Sequence, residues 1–225
     1  MRVIIYVEGP SDKNAMEALL VNLIEKKSAE GVSINFFAIK EANNDRGGDA
    51  KKDLLLKAPR KAVDTLKDPN SIVILLPDLY PKNKEFRHET FQELEAGIMN
   101  NFSQVLQKKN IQDERLKERF KVFCFKYEME ALILAAESGL RRKLGVADLT
   151  DLKVTWTIPV EDQNHDRPPS EIVEQLFRDY DQKYDKRVDP QLILRNTSYQ
   201  EITDKCTQCF KPFVKFIEDI QTEAS

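Results

Sequence analysis

The feature that most constrains the fold is a set of short apolar runs, each ending on a turn residue and an acid. Val3-Ile4-Ile5-Tyr6-Val7 is β-branched and aromatic throughout and stops at Glu8-Gly9-Pro10, the pattern of a strand buried on both faces and therefore near the centre of a sheet. Val32-Ser33-Ile34-Asn35-Phe36-Phe37-Ala38-Ile39, Ile72-Val73-Ile74-Leu75-Leu76 and Lys121-Val122-Phe123-Cys124-Phe125 read as three more strands, the third ending at Pro77-Asp78. Helical periodicity separates them. Met16, Leu19, Leu20, Leu23 and Ile24 share one face of a helix that Ser11 is placed to cap, and amphipathic stretches follow over 51–66 and 89–107. Strands alternating with helices of these lengths predict right-handed βαβ crossovers, hence an α/β fold with a parallel sheet of about four strands flanked by helices.

Beyond Glu128 the chain turns helical, with Met129, Leu132, Ile133 and Leu134, and no further strong strand appears. A charged loop over 159–169 precedes a short helix capped by Ser170 and carrying Ile172, Val173, Leu176 and Phe177. The expected organisation is an α/β core over 1–137 and a C-terminal helical cap over 138–225.

Composition narrows the partners. With 35 basic and 38 acidic residues the formal charge is −3, so nucleic acid is accessible only through local basic patches. Of the basic runs, Lys26-Lys27, Arg60-Lys61 and Lys108-Lys109 read as solvated helix faces, whereas Lys51-Lys52 and Arg141-Arg142-Lys143 could flank the carboxyl edge of the sheet and track a phosphate backbone. The first apolar run is too short for a signal peptide or a membrane span, which predicts a cytoplasmic protein with no membrane partner. The chain has 3 cysteines, and Cys206-x-x-Cys209 falls within a stretch, 202–220, that reads as one helix, so two small residues a turn apart are favoured over zinc or redox chemistry.

Ligand-binding side chains of parallel α/β sheets collect beyond the carboxyl ends of the strands. Glu8 and Asp78 end strands there, Asp12 opens the first helix, and Glu128 and Glu130 follow the fourth strand. Clustered carboxylates repel unless a cation sits among them, and hard oxygen donors select Mg2+ or Mn2+. Asp12 serves equally well as a first-turn carboxylate favoured by the helix dipole, but a carboxylate directly after a buried strand, as at Glu8 and Asp78, needs a partner. Gly47-Gly48 ahead of the second predicted helix offers N–H groups to a phosphate, although no P-loop motif is present.

Val7-Glu8-Gly9-Pro10-Ser11-Asp12 resembles the first TOPRIM motif, a strand running into Glu-Gly-x-x-Asp, and Leu75-Leu76-Pro77-Asp78-Leu79-Tyr80 resembles the second, which ends in Asp-x-Asp. Tyr127-Glu128-Met129-Glu130-Ala131-Leu132, Pro168-Pro169-Ser170 and Tyr184-Asp185-Lys186 are similar to the signatures of a family of small TOPRIM-like proteins described as a domain of unknown function, of the 4276 type. The resemblance spans nearly the whole chain and implies a TOPRIM/Rossmann-like fold related to the TOPRIM domains of OLD-like nucleases, Mg2+-dependent phosphodiester chemistry, an ABC- or OLD-like ATPase partner and a role in phage defence. On this footing Glu8, Asp78 and Glu128 ligate the metal, Asp12 and Glu130 orient water or a second ion, and Lys186 stabilises charge on the phosphate. Tyr80 departs from the motif, standing where a second Asp belongs. Either Glu128 or Glu130 completes the site or the site is weakened, which leaves a catalytically silent module binding an ATPase or nucleic acid as the alternative. A receiver-like domain with Asp78 as phosphate acceptor fits less well, since it calls for neither the helical cap nor the Glu128/Glu130 pair.

Overall fold

In the computed structural model, which describes residues 1–39, 49–80, 82, 87–147, 151–163 and 165–221, four parallel strands stand in the order β2-β1-β3-β4. They are β1 (Arg2–Val7), β2 (Ser33–Ala38), β3 (Ser71–Leu75) and β4 (Phe120–Val122). The central place of β1 follows from its composition: Val3, Ile5 and Val7 face one side and Ile4 the other, all of them buried. Because both sheet faces are apolar, both are covered.

On one face lie α3 (Ala50–Thr65) and α4 (Phe91–Lys108). Leu54, Leu55, Ala58 and Ala62 from α3 meet Leu94, Ile98 and Phe102 from α4 over Ile4, Val73 and Leu75. Phe102 stacks on Phe120 with ring centroids 4.2 Å apart. Pro59 lies inside α3 and cannot donate to the Leu55 carbonyl one turn back. Asn101 Nδ2 of α4 donates to that carbonyl instead, at 3.4 Å, so the neighbouring helix supplies the bond the proline withholds.

The other face carries α1 (Pro10–Leu19), α2 (Val21–Ala29) and the C-terminal helices. The expected single first helix is divided at Leu20, whose φ of −96° and ψ of 12° end α1. Its N-cap is Gly9, not Ser11, and the Asp12 carboxylate accepts the Gly9 N–H at 2.9 Å. After β4 come the short helices α6 (Glu130–Ala135) and α7 (Glu137–Leu144), then α8 (Pro169–Asp179), α9 (Asp189–Arg195), α10 (Tyr199–Lys205) and α11 (Phe210–Asp219), with α5 (Arg115–Glu118) ahead of β4. Pro168, not Ser170, caps α8, because Pro169 at the first helical position brings its own helical φ. Ile172, Val173, Leu176 and Phe177 are fully buried, as their spacing requires. Phe213, Val214 and Ile217 of α11 share one core with Val3, Ile5 and Phe36 of the sheet.

Two further expectations differ from what the structure shows. The stretch 202–220 is two helices, with Cys206 ending α10 and Cys209 opening α11. The basic runs are not all solvated faces: Lys27 is 3% and Lys51 7% exposed, Lys143 pairs with buried Asp189 at 2.8 Å, and Arg141 pairs with Glu137 at 2.8 Å. Gly47-Gly48 lies outside the described residues. Among the described residues, no helix is long and apolar enough to cross a membrane.

Candidate functional site

Strand register decides which acids meet. Tyr6 of β1 stands beside Leu75 of β3, so two residues on Glu8 falls beside Pro77, and the Asp78 N–H reaches Glu8 Oε1 at 3.1 Å. The chain from β4 follows β3 past its named end. The Phe125 N–H donates to the Pro77 carbonyl at 3.0 Å, the Leu79 N–H donates to the Phe125 carbonyl at 2.7 Å, and the turn beyond delivers Glu128 and Glu130. Packing of α9 against α1 brings the segment before α9 over the same edge, with Lys186 on it. The result is an open cleft of about 370 Å3 whose walls include Glu8, Asp12, Asp78, Glu128, Glu130 and Lys186. All six residues proposed from the sequence are therefore brought together.

Their polar contacts are uneven. Lys186 Nζ lies 3.4 Å from Glu130 Oε1 and 3.7 Å from Glu128 Oε2. The Tyr184 hydroxyl donates to Glu130 Oε1 at 3.1 Å. Glu128 Oε2 is shielded from solvent and has no hydrogen-bond donor. Beneath the cleft, Lys51 donates to the Leu79 carbonyl at 3.3 Å, and its ammonium faces Glu8 and Asp78. His88 Nε2 lies 2.9 Å from the same carbonyl.

Burial and mutual repulsion raise the pKa values of Glu8, Asp12, Asp78 and Glu130. Burial raises Glu8 to about 7, Asp12 adding to the rise while Lys51 and the Asp78 N–H oppose it. Asp12 is raised to about 6 by burial against the Gly9 N–H, with Glu130 and Glu128 adding repulsion. Asp78 is driven well above the carboxylate range by burial, then by Glu8 and Asp12. Glu130 is raised by burial, which Lys186 only partly offsets. Burial lowers Lys51, whereas the pull of Glu130 and Glu128 raises Lys186 despite its partial burial.

The donors suit a hard divalent cation in kind: five carboxylates face two ammonium groups, and one shielded oxygen lacks a donor. They do not form a closed ligand set, since among the described residues no three acidic, imidazole or thiol groups are gathered at metal-binding spacing. Tyr80 is turned away from a ligand role. Its hydroxyl donates to the Glu89 carbonyl at 2.8 Å, and its ring packs on Tyr127 and His165. Sequence reasoning placed Lys51 at the carboxyl edge as a contact for a phosphate backbone, but missed that it is buried beneath the acids and faces Glu8 and Asp78. The signal was present, because Lys51 falls in phase with Leu54, Leu55 and Ala58 on the buried face of α3.

Fold and cleft together define a class: an α/β protein with a four-stranded parallel sheet, helices on both faces and an acidic cleft at the carboxyl edge. Within it, the chain belongs to the family described as Domain of unknown function (DUF4276), whose model matches residues 7–218. No curated protein matches it. Among solved structures it is similar to the C-terminal region of the Burkholderia pseudomallei OLD protein, at 15% identity over 97% of each chain and a TM-score of 0.47, too distant to carry a functional argument.

Proposed function

We propose that the chain is a divalent-metal-dependent, TOPRIM-like module acting on phosphodiesters, a nuclease or the phosphodiester-processing subunit of an assembly with an ABC- or OLD-like ATPase in phage defence. The observation that carries this reading is the convergence of Glu8, Asp12, Asp78, Glu128 and Glu130 with Lys186 in one cleft at the sheet's carboxyl edge. Glu8, Asp78 and Glu128 would have to draw closer together than they stand here to hold Mg2+ or Mn2+. Such an ion, when bound, polarises a phosphoryl oxygen and lowers the pKa of a bound water. Asp12 and Glu130, both with raised pKa, can accept a proton from attacking water or return one to the leaving oxygen. Lys186, half exposed at the rim, can turn its ammonium from Glu130 to a phosphate oxygen as charge grows there. Tyr184 keeps Glu130 in position meanwhile.

The test is cleavage of plasmid DNA and of total RNA in Mg2+ or Mn2+, with a Glu8→Ala/Asp78→Ala double variant alongside. Metal-dependent cleavage lost in the double variant is expected; cleavage that survives it would overturn the assignment. A second reading, a silent TOPRIM-like module that binds an ATPase or nucleic acid, is favoured by the engagement of the Tyr80 hydroxyl with the Glu89 carbonyl and by the open arrangement of the acids. It predicts no cleavage by either protein and unchanged ATPase binding by the double variant.

A further inference from the structure

The three cysteines fall in one region of the fold, on the side of the cleft where Cys124 precedes Phe125, the bridge partner of Asp78. Cys124, on the continuation of β4, is 1% exposed and sits among the core side chains of the α3/α4 face. Cys206, at the end of α10, is wholly buried, and Cys209, at the start of α11, is partly exposed. The Cys124 thiol donates to Cys209 Sγ at 3.4 Å across 85 residues of sequence. The Cys209 backbone is held in place, its N–H donating to the buried Glu161 carboxylate at 2.9 Å.

The geometry points to a redox-responsive staple: Cys124 and Cys209 form a reversible disulfide that fastens the C-terminal helices to the end of β4. Bond formation needs the sulfurs to close from 3.4 Å to about 2.05 Å, within reach of side-chain rotation at a partly exposed residue. With hydrogen peroxide as oxidant, Cys209, the exposed partner, reacts first. Its sulfur gains an oxygen as the peroxide O–O bond breaks, giving a sulfenic acid and one water. Cys124 sulfur then attacks the Cys209 sulfur; the S–O bond breaks, and the departing hydroxide takes the Cys124 proton as a second water. Two thiols thus lose two electrons and two protons, and the peroxide is reduced to two waters. Burial and the hydrogen bond it donates to Cys209 keep Cys124 from being the thiol first oxidised, and the same contact places its sulfur against Cys209 Sγ for the second step, in which its proton must leave as the S–S bond forms. The staple does not depend on what the cleft does.

The experiment is to treat the reduced full-length protein with hydrogen peroxide and map its tryptic peptides without reduction. Cys206 and Cys209 share a peptide between Lys205 and Lys215, so a link to the peptide carrying Cys124 is distinguishable from a bond within that peptide. The cross-link to Cys124 is expected in the wild type and in Cys206→Ser, and is lost in Cys209→Ser. Closing a loop of this length should raise Tm by roughly 10 °C, reversed by dithiothreitol. A Cys206–Cys209 bond, or Cys124 still a free thiol in the oxidised wild type, would overturn the inference. Reading the wild-type map first keeps the test decisive even if a serine variant folds poorly.

Discussion

Glu8, Asp12 and Asp78 carry the electrostatic cost of the site, because three acids share a cleft with one buried lysine beneath them. Carboxylates whose pKa is raised on folding bind more protons in the native than in the unfolded chain, so stability is lost as pH rises from the ordinary range through the folded value. For Glu8 that window runs from 4.5 to about 7, and for Asp12 from 3.8 to about 6. Glu8 alone would account for on the order of 3 kcal/mol, reduced to roughly half by its contact with cleft water. The metal-free protein should therefore melt about 5 °C higher at pH 5.5 than at pH 8, and millimolar Mg2+ or Mn2+ should recover much of the loss at pH 8. Thermal melts across that range check both; stability rising with pH would mean that the acids are already compensated. The paired surface acids Asp64, Asp68 and Asp113 have lowered pKa values and titrate below this window, so they do not mask it. Lys186 is the complementary case. It is half exposed, so Lys186→Met should shift Tm by little, yet lower any cleavage rate by about 100-fold or more. Equal losses of rate and Tm would assign it a structural role instead.

At the scale of elements, close approach sets tolerance. Gly139 of α7 lies against α9, where an added Cβ would fall 2.2 Å from the Ile193 carbonyl oxygen and 2.3 Å from Thr197 Oγ1. Gly139→Ala should cost about 1–3 kcal/mol even though alanine is the better helix former, because backbone must move to admit it. A denaturant melt checks this, and a variant as stable as the wild type would show that the α7–α9 contact can open. At Pro59 a helix breaker by local rule is retained because Asn101 satisfies the carbonyl it leaves free. The break at Leu20 runs the other way, since the apolar spacing continues through it although its φ and ψ end α1 there.

Across the whole molecule, the C-terminal segments are tied to one another by a buried acid. Glu161, 2% exposed, accepts backbone N–H groups from Gln208 at 2.6 Å, Cys209 at 2.9 Å and Phe210 at 3.4 Å, and so holds the turn Val160–Asp162 against the start of α11. Glu161→Ala should destabilise the protein by about 2–3 kcal/mol, since it strands these donors at a helix N-terminus. A loss below about 0.5 kcal/mol in chemical melts would mean that water replaces the carboxylate freely. The sequence by itself determined the strands, their parallel pairing and the acids at their carboxyl ends, because periodicity and the burial of apolar runs are local properties that leave few topologies open. It also placed Glu8 and Asp78 at the sheet edge, since a strand that must be buried carries its terminal carboxylate there, whereas Lys186 was indicated only by the family resemblance. Only the tertiary structure decided that Lys51 lies under Glu8 and Asp78, that the Tyr80 ring packs on Tyr127 and His165, that Glu161 caps α11 and that Cys124 meets Cys209. These depend on residues far apart in the chain being packed together, and neither spacing nor composition encodes the distance between them.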